Sequence, residues 1–383
     1  MTERLYFRDA YLTAFDATVE SVDGARVRLT KTAFYPTSGG QQFDLGTLGG
    51  VRVIDVIDEE AGIVHVLESA PSFAPGSTAK GQVDWARRFD HMQQHTGQHL
   101  LSAVFEDLIG AKTVSVHFGA DSATLDLDAE TITKAEAVRV EKQANKVVAD
   151  NKVVTVEFED AATAKGLRKA SDRTGELRIV SIDGLDRSAC GGTHVRATGE
   201  IGAVLIRKLE KYKKFTRVEF VCGARAIARA RADYESLTGI AAALSAGLDE
   251  VPALVVSQNE SLRALESERR KLTEALAAYR GRELYDAAPV AADGVRRVTV
   301  SAAPEELRAL ATAITALAKA AFIGSCESPP TIVFAASDDS GLDAGALLKA
   351  ALAANGGRGG GNKKVAQGTA PNAEAINAIV RAL

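Results

Sequence analysis

The sequence predicts an α+β protein in four segments: a small N-terminal β-barrel domain (1–84), a mixed α/β domain (85–223), a helical, coiled-coil-like linker (224–289) and a C-terminal α/β domain (290–383). Three observations carry this reading. The first segment shows short β-branched or alternating runs between turns, with no helical periodicity. The third is rich in Ala, Arg, Glu and Leu at helical spacing. The fourth alternates strand-like and helix-like stretches. At 383 residues the chain is also longer than one ordinary core requires.

In the barrel segment, Ala25–Lys31, Val51–Ile57 and Ile63–Leu67 read as strands, with turn chemistry at Gly49-Gly50 and Asp58–Gly62. Trp85–Leu108 has a helical apolar pattern, no internal proline and Gly110 to close it. Thr113–Phe118 alternates strictly, with Val, Val, Phe on one face and Thr113, Ser115, His117 on the other. Gly119–Ser122 turns the chain and Ala123–Leu127 returns it. Ile132–Asn151 spaces as a helix, and Arg178–Ile182, Val204–Leu209 and Thr216–Val221 as strands.

Gly247–Pro252 breaks the linker into two helices. In the second, Val255, Gln258, Leu262, Leu265, Arg269, Leu272, Leu276 and Tyr279 follow a three-then-four spacing. This seam pairs either with the first linker helix or with a second copy, in a homodimer through residues 253–280 and the C-terminal domain. Beyond it, Val298–Val300 and Thr331–Ala336 read as strands, and Pro304–Phe322, Ala344–Ala354 and Ala373–Leu383 as helices. A glycine-dense loop precedes the last helix.

Composition narrows the function classes. Hydrophobic residues make up 46% and charged residues 25%, the profile of a globular protein. The net charge of -4 does not announce a nucleic-acid partner, so any such contact falls to local basic patches. Three cysteines, Cys190, Cys222 and Cys326, make no disulfide framework and suit a reducing compartment. The charged N-terminus is no signal peptide, and no apolar run spans a membrane, so the expected location is cytoplasmic.

Four residues stand out together. His95-Thr96-Gly97-Gln98-His99 puts two imidazoles one turn apart on one helix face. Cys190-Gly191-Gly192-Thr193-His194 offers a thiolate and a third imidazole on a chain that glycine lets curl. Such donors suit tetrahedral zinc. Spacing alone does not choose His95/His99 over His91/His95, since His91 lies at the same interval. The helix is not that of a zinc protease, because Thr96 stands where that motif needs a glutamate base.

With these motifs the chain resembles the editing domain of alanyl-tRNA synthetase, and more closely the free-standing alanyl-tRNA editing proteins of the AlaX group. Phe34–Gln41 with Asp44 and Gly46 is similar to the family's glycine-rich signature. Asp84–Arg88 is similar to its approach to the zinc helix, and Gly199–Gly202 to the segment after the cysteine motif. Gly356–Gly361 followed by Val365–Gly368 resembles the DHHA1 domain that ends alanyl-tRNA synthetases. The resemblance implies His95, His99, Cys190 and His194 as the Zn2+ ligands, leaving His91 outside. Two departures stand on the signature loop: Ser38 where the family usually has a third glycine, and Gln42 where it often has proline.

The implied function is trans-editing: hydrolysis of seryl-tRNA(Ala), and of glycyl-tRNA(Ala), a correction that a synthetase pocket alone supplies poorly. The chain begins at the editing barrel, so the adenylate-forming domain, ATP use and aminoacylation are expected to be absent. A non-catalytic, zinc-stabilised tRNA-binding module and a deacylase for another mischarged tRNA are the alternatives. A four-ligand site is coordinatively closed, which favours holding the helix and the Cys190 loop together while orienting a substrate amino group or a water.

Thr96 and Gln98 flank the ligands, Gln41 and Asp44 enter through the family signature, and His117 lies on the polar strand face; these five are the catalytic candidates. For RNA, Lys211, Lys213 and Lys214 cluster with Tyr212 and Phe215, and Arg87 and Arg88 lie in the first turn of the zinc helix. Arg358, Lys363 and Lys364 accompany the glycine loop, whose backbone amides suit phosphate. That loop is not a nucleotide-binding P-loop, since no Gly-Lys-Ser/Thr opens a helix there.

Overall fold

The computed structural model describes residues 2–169 and 174–383. The chain divides into two compact units, one ending at Gly239 and one running from Ile240 to Leu383.

The first unit opens with β1 (Glu3–Arg4), β2 (Ala14–Asp23), β3 (Arg26–Leu29), β4 (Lys31–Thr32), β5 (Gly46–Leu48), β6 (Val51–Glu59), β7 (Gly62–Leu67) and β8 (Thr78–Val83). β1 and β4 form a short parallel pair. The other six close into a barrel in the order β2-β3-β7-β6-β5-β8. Along β2, Phe15, Ala17 and Val19 turn inward while their neighbours face out, the period of a half-buried strand. β2 and β8 were not among the expected strands. Their inward positions include Ala17, Ala79 and Gly81, too small to give a strong alternation.

α1 (Trp85–Ile109) runs one residue past the expected Leu108. Asp84 caps its start by accepting from the Arg87 amide, and Gly110 ends it in the left-handed region at φ 71°. Every residue from His91 to Phe105 is buried, so this helix is the axis of the unit. Leu100, Leu101, Val104 and Phe105 are among its core contributions, each worth roughly 1.5–3 kcal/mol on burial.

The rest of the unit packs around that axis. β9 (Thr113–Phe118) and β10 (Ala123–Leu127) form the expected hairpin. α2 (Lys134–Ala149) starts at a capping box of Thr133 and Glu136. β11 (Val154–Asp160), β12 (Glu176–Ile182) and β13 (Asp186–Ala189) make a three-stranded antiparallel sheet. β14 (Val204–Tyr212) and β15 (Phe215–Cys222) complete a second sheet in the order β14-β15-β10-β9. α3 (Gly223–Ala243) follows.

In the second unit α4 (Val251–Ala287) places Pro252 in its first turn, where a missing N–H costs nothing. The heptad residues Leu262, Leu265, Leu272, Leu276 and Tyr279 are exposed, while Gly281 faces Ala313 and Ile314. The sheet comprises β16 (Arg296–Ser301), β17 (Ala320–Glu327), β18 (Pro330–Ala336), β19 (Arg358–Gly361) and β20 (Val365–Thr369), ordered β16-β17-β18-β20-β19. α5 (Pro304–Thr315) packs on one face, and α6 (Ala344–Ala354) and α7 (Ala373–Ala382) on the other.

Two expectations are corrected here. The helix expected over Pro304–Phe322 stops at Thr315, and Phe322 lies in β17. The alanine-rich run hides the stop; after it the chain turns through Lys319 at φ 46°, and Ala320, Ala321 and Phe322 are then fully buried. The glycine-dense loop is in part the edge strand β19. A Cβ at Gly359 or Gly361 would overlap the β20 backbone, so glycine here permits close pairing.

Candidate metal centre

α1 sets His95 and His99 one turn apart, with ring centroids separated by 5.4 Å. The loop after β13 carries Cys190 and His194 to the same point. Cys190 Sγ lies 3.4 Å from His95 Nε2 and 3.3 Å from His194 Nε2. The donor atoms of His95, His99, Cys190 and His194 all fall within 4.8 Å of one another, a group that can hold a metal ion. His91 is outside it: it is buried one turn earlier, with Nδ1 unpartnered.

Each imidazole is anchored from behind. Gln41 Oε1 is 2.8 Å from His95 Nδ1, Thr96 Oγ1 is 3.1 Å from His194 Nδ1, and Asp186 Oδ2 is 2.9 Å from His99 Nδ1. With a proton on each Nδ1, every Nε2 is left free to face the shared point. Gln41 also donates to Thr193 Oγ1 at 2.9 Å and accepts from the Thr193 amide at 3.1 Å, tying the glycine-rich loop before β5 to the ligand loop. A Cβ at Gly192 would overlap the His95 ring, which explains that glycine.

The electrostatics separate the members of the cluster: Cys190 and His194 shed their protons readily, whereas His99 holds its own. Burial pushes the Cys190 thiol up, but His95 and His194 together outweigh it and hold the thiol well below its ordinary value. Burial, then the neighbouring His95, lowers His194 to about 3. For His99, burial opposes ionisation, but Asp186 and Cys190 outweigh it and push the ring up to about 10.

A cavity of about 850 Å³ opens beside the cluster, lined in part by Gln98, His99, Ser102, Thr113 and Ser115. Ser102 Oγ accepts from Gln98 Nε2 at 2.9 Å and shares a hydrogen bond with Thr113 Oγ1 at 2.7 Å. Ser115 donates to Asp126 Oδ2 at 2.6 Å.

The other sequence candidates divide. Gln41 and Thr96 touch the imidazoles of His95 and His194 from behind; Gln98 lines the cavity. His117 is exposed on β9 and does not line the cavity. Asp44 and Arg88 need correcting: they form an ion pair with both side chains fully buried, and Arg88 also donates to the Ala10 and Ala33 carbonyls. Arg88 therefore cannot meet RNA, and Asp44 holds the barrel to α1. Arg87 is half-buried, donating to the Phe43 carbonyl and Gln42. Lys211, Lys213 and Lys214 stand exposed where β14 turns into β15, the last two over Tyr212 and Phe215. Arg358, Lys363 and Lys364 are exposed, with Lys364 paired to Asp338 at 2.8 Å.

Sequence reasoning missed Asp186, Arg168 and Ser102. A carboxylate four residues before the cysteine motif was the available signal for Asp186.

Comparison with known proteins agrees with this geometry. Residues 177–219 match the threonyl and alanyl tRNA synthetase second additional domain, and residues 295–383 match the DHHA1 domain. The chain is 34% identical to alanyl-tRNA editing protein AlaX-L of Pyrococcus horikoshii over 288 residues, covering 72% of this chain and 70% of that one. It is 33% identical to alanyl-tRNA editing protein Aarsd1 of Danio rerio over 265 residues, covering 63% of this chain and 64% of that protein, just under two thirds of its length. It is 35% identical to alanyl-tRNA editing protein AlaX-M of Methanosarcina mazei over 240 residues, covering 57% of this chain and 94% of that one. A similarity that extends over 72% of this chain and 70% of a relative's length makes this chain a member of the alanyl-tRNA editing protein family.

Proposed function

We propose that this chain is a zinc-dependent aminoacyl-tRNA deacylase that frees tRNA-Ala of a wrongly attached amino acid, serine first and glycine second, without ATP and without aminoacylation. The observation that carries the reading is the four-donor cluster beside a cavity lined by hydroxyl and amide groups. The names of the relatives supply the tRNA.

The residues fit zinc. One thiolate and three imidazoles are its donor set, and the sulfur–nitrogen separations of 3.4 and 3.3 Å match the ~3.5 Å expected between two ligands of one tetrahedral ion. When bound, zinc supplies a positive anchor for the substrate's amino group or a water. The chain's own groups do the remainder. Gln41, Thr96 and Asp186 hold the Nδ1 protons of the three imidazoles. Gln98, Ser102 and Thr113 face the side chain of a bound amino acid, and their hydroxyl and amide groups suit a serine hydroxyl that alanine lacks. Water attacks the ester carbonyl, the bond to the terminal ribose oxygen breaks, and that oxygen takes a proton.

In the same reading, residues 1–84 and 85–223 form the editing half, 224–289 the linker and 290–383 the tRNA-binding domain. Lys211, Lys213, Lys214 and Arg87 meet the acceptor stem, and Arg358, Lys363 and Lys364 meet phosphates elsewhere on the tRNA. The exposed leucines of α4 are the surface for a second copy. Its place of action is the cytoplasm, where tRNA is charged. Among the described residues no single helix is long and apolar enough to cross a membrane.

A second reading, a zinc-stabilised tRNA-binding module without turnover, is favoured by the closed set of four protein ligands. A deacylation assay on seryl-, glycyl- and alanyl-tRNA(Ala) separates the two. Release of serine with alanine left in place supports the deacylase. Tight tRNA binding with release at the background rate sinks it.

A further inference from the structure

His99 differs from the other two imidazoles in its partner. His95 and His194 are backed by a neutral amide and a neutral hydroxyl, and His99 by a carboxylate. That carboxylate, Asp186, is 1% exposed in its side chain and sits at the first position of β13. It also accepts from Arg168 Nε at 2.9 Å through Oδ1, and from Ser188 Oγ at 3.0 Å through Oδ2. Arg168 is itself held four ways. It donates to the Leu185 carbonyl at 2.6 Å, to Glu106 at 3.1 Å and to Asp107 at 2.9 Å, besides Asp186.

Glu106 and Asp107 lie on α1, about two turns beyond His99. The contacts therefore close a ring: from α1 through His99 to Asp186, through Arg168, and back to α1. Asp186 is thus located relative to the same helix that carries the ligand it orients. An imidazole turned over about its Cβ–Cγ bond would point carbon at the donor cluster; the Nδ1–H to Oδ2 bond forbids this.

We propose that Asp186 is the positioning residue of the metal centre, fixing His99 through Nδ1, and that Arg168 is the residue that fixes Asp186. The proposal rests on the metal reading above. A second-sphere partner of this kind is typically worth 10- to 100-fold in metal affinity.

The test uses the full-length chain stripped of metal, then titrated with zinc against a chromophoric chelator and, separately, with cobalt(II). Asp186→Ala is expected to weaken zinc binding roughly 10- to 100-fold and to alter the cobalt ligand-field bands. The thiolate-to-cobalt charge-transfer band from Cys190 should remain, showing that the rest of the site is built. Asp186→Asn, which retains an acceptor for Nδ1–H, should lie between the two. Arg168→Met should weaken zinc severalfold, and it keeps the proposal testable should Asp186→Ala fail to fold. Wild-type affinity and spectrum in both Asp186→Asn and Arg168→Met would overturn the proposal while leaving the metal reading intact. A wild-type chain that takes up neither metal would overturn both.

Discussion

Thr96 Oγ1 and His194 Nδ1 stand 3.1 Å apart, although 98 residues separate them in sequence. Thr96 lies between two metal-binding candidates on α1, and its hydroxyl also accepts from the Val195 amide at 3.1 Å. Its part is to hold the cysteine loop against the helix. Thr96→Val keeps the shape and removes the acceptor. We expect it to weaken zinc binding about 10-fold and to destabilise the fold by roughly 1–3 kcal/mol, since a buried N–H loses its partner. Zinc titration and denaturant midpoints check this; wild-type values in both would refute the role.

His95→Ala and Cys190→Ala each remove a donor from the closed set. Both are expected to lose zinc and ester hydrolysis together. Metal analysis of the purified variants decides the matter, and full occupancy in both would defeat the assignment.

The Arg88–Asp44 pair is fully buried. Removing one partner strands the other charge, which typically costs about 3–5 kcal/mol. Arg88→Met should lower the melting temperature strongly while leaving the salt dependence of tRNA binding unchanged. A fall in that salt dependence would restore Arg88 to the RNA interface.

His65 is wholly buried in the barrel, with Nδ1 donating to the Val27 carbonyl at 3.2 Å and Nε2 accepting from Thr32 at 2.7 Å. Burial lowers it from 6.5 to about 4. The folded state thus binds its proton less readily than the unfolded chain. This contribution to stability is intact above pH 6.5 and is lost as pH falls towards 4. The depression corresponds to about 3 kcal/mol. With zinc saturating, His65→Gln should show a shallower loss of stability than wild type over this interval. Parallel curves would exclude His65 as a source of acid sensitivity.

Lys211, Lys213 and Lys214 are exposed cations without buried roles. Their joint replacement by alanine should weaken tRNA binding and reduce the slope of log affinity against log salt, by about one for each phosphate no longer neutralised. Filter-binding titrations across salt concentrations read this directly. An unchanged slope would exclude the hairpin from the interface.

Local pattern carried much of the fold. Thr113–Phe118 and Ala344–Ala354 fall where the sequence places them, because alternation and helical spacing are properties of neighbouring residues. The helix end at Thr315 was illegible because alanine suits a helix, yet Ala320 and Ala321 enter a fully buried strand. β19 was illegible because glycine carries no strand preference of its own. At the site, the four donors were readable as two short motifs. Of their supports, Gln41 and Thr96 were singled out through the motifs, but Asp186 was not: it meets His99 across 87 residues.

The double grip of Gln41 on His95 and Thr193 gives the barrel a part in the chemistry it does not itself perform. A truncation that begins at Trp85 would spare all four donors and still leave the His95 ring without its support. The first eighty-odd residues and the helix that follows them are therefore one working piece, joined at the metal centre by a single amide side chain.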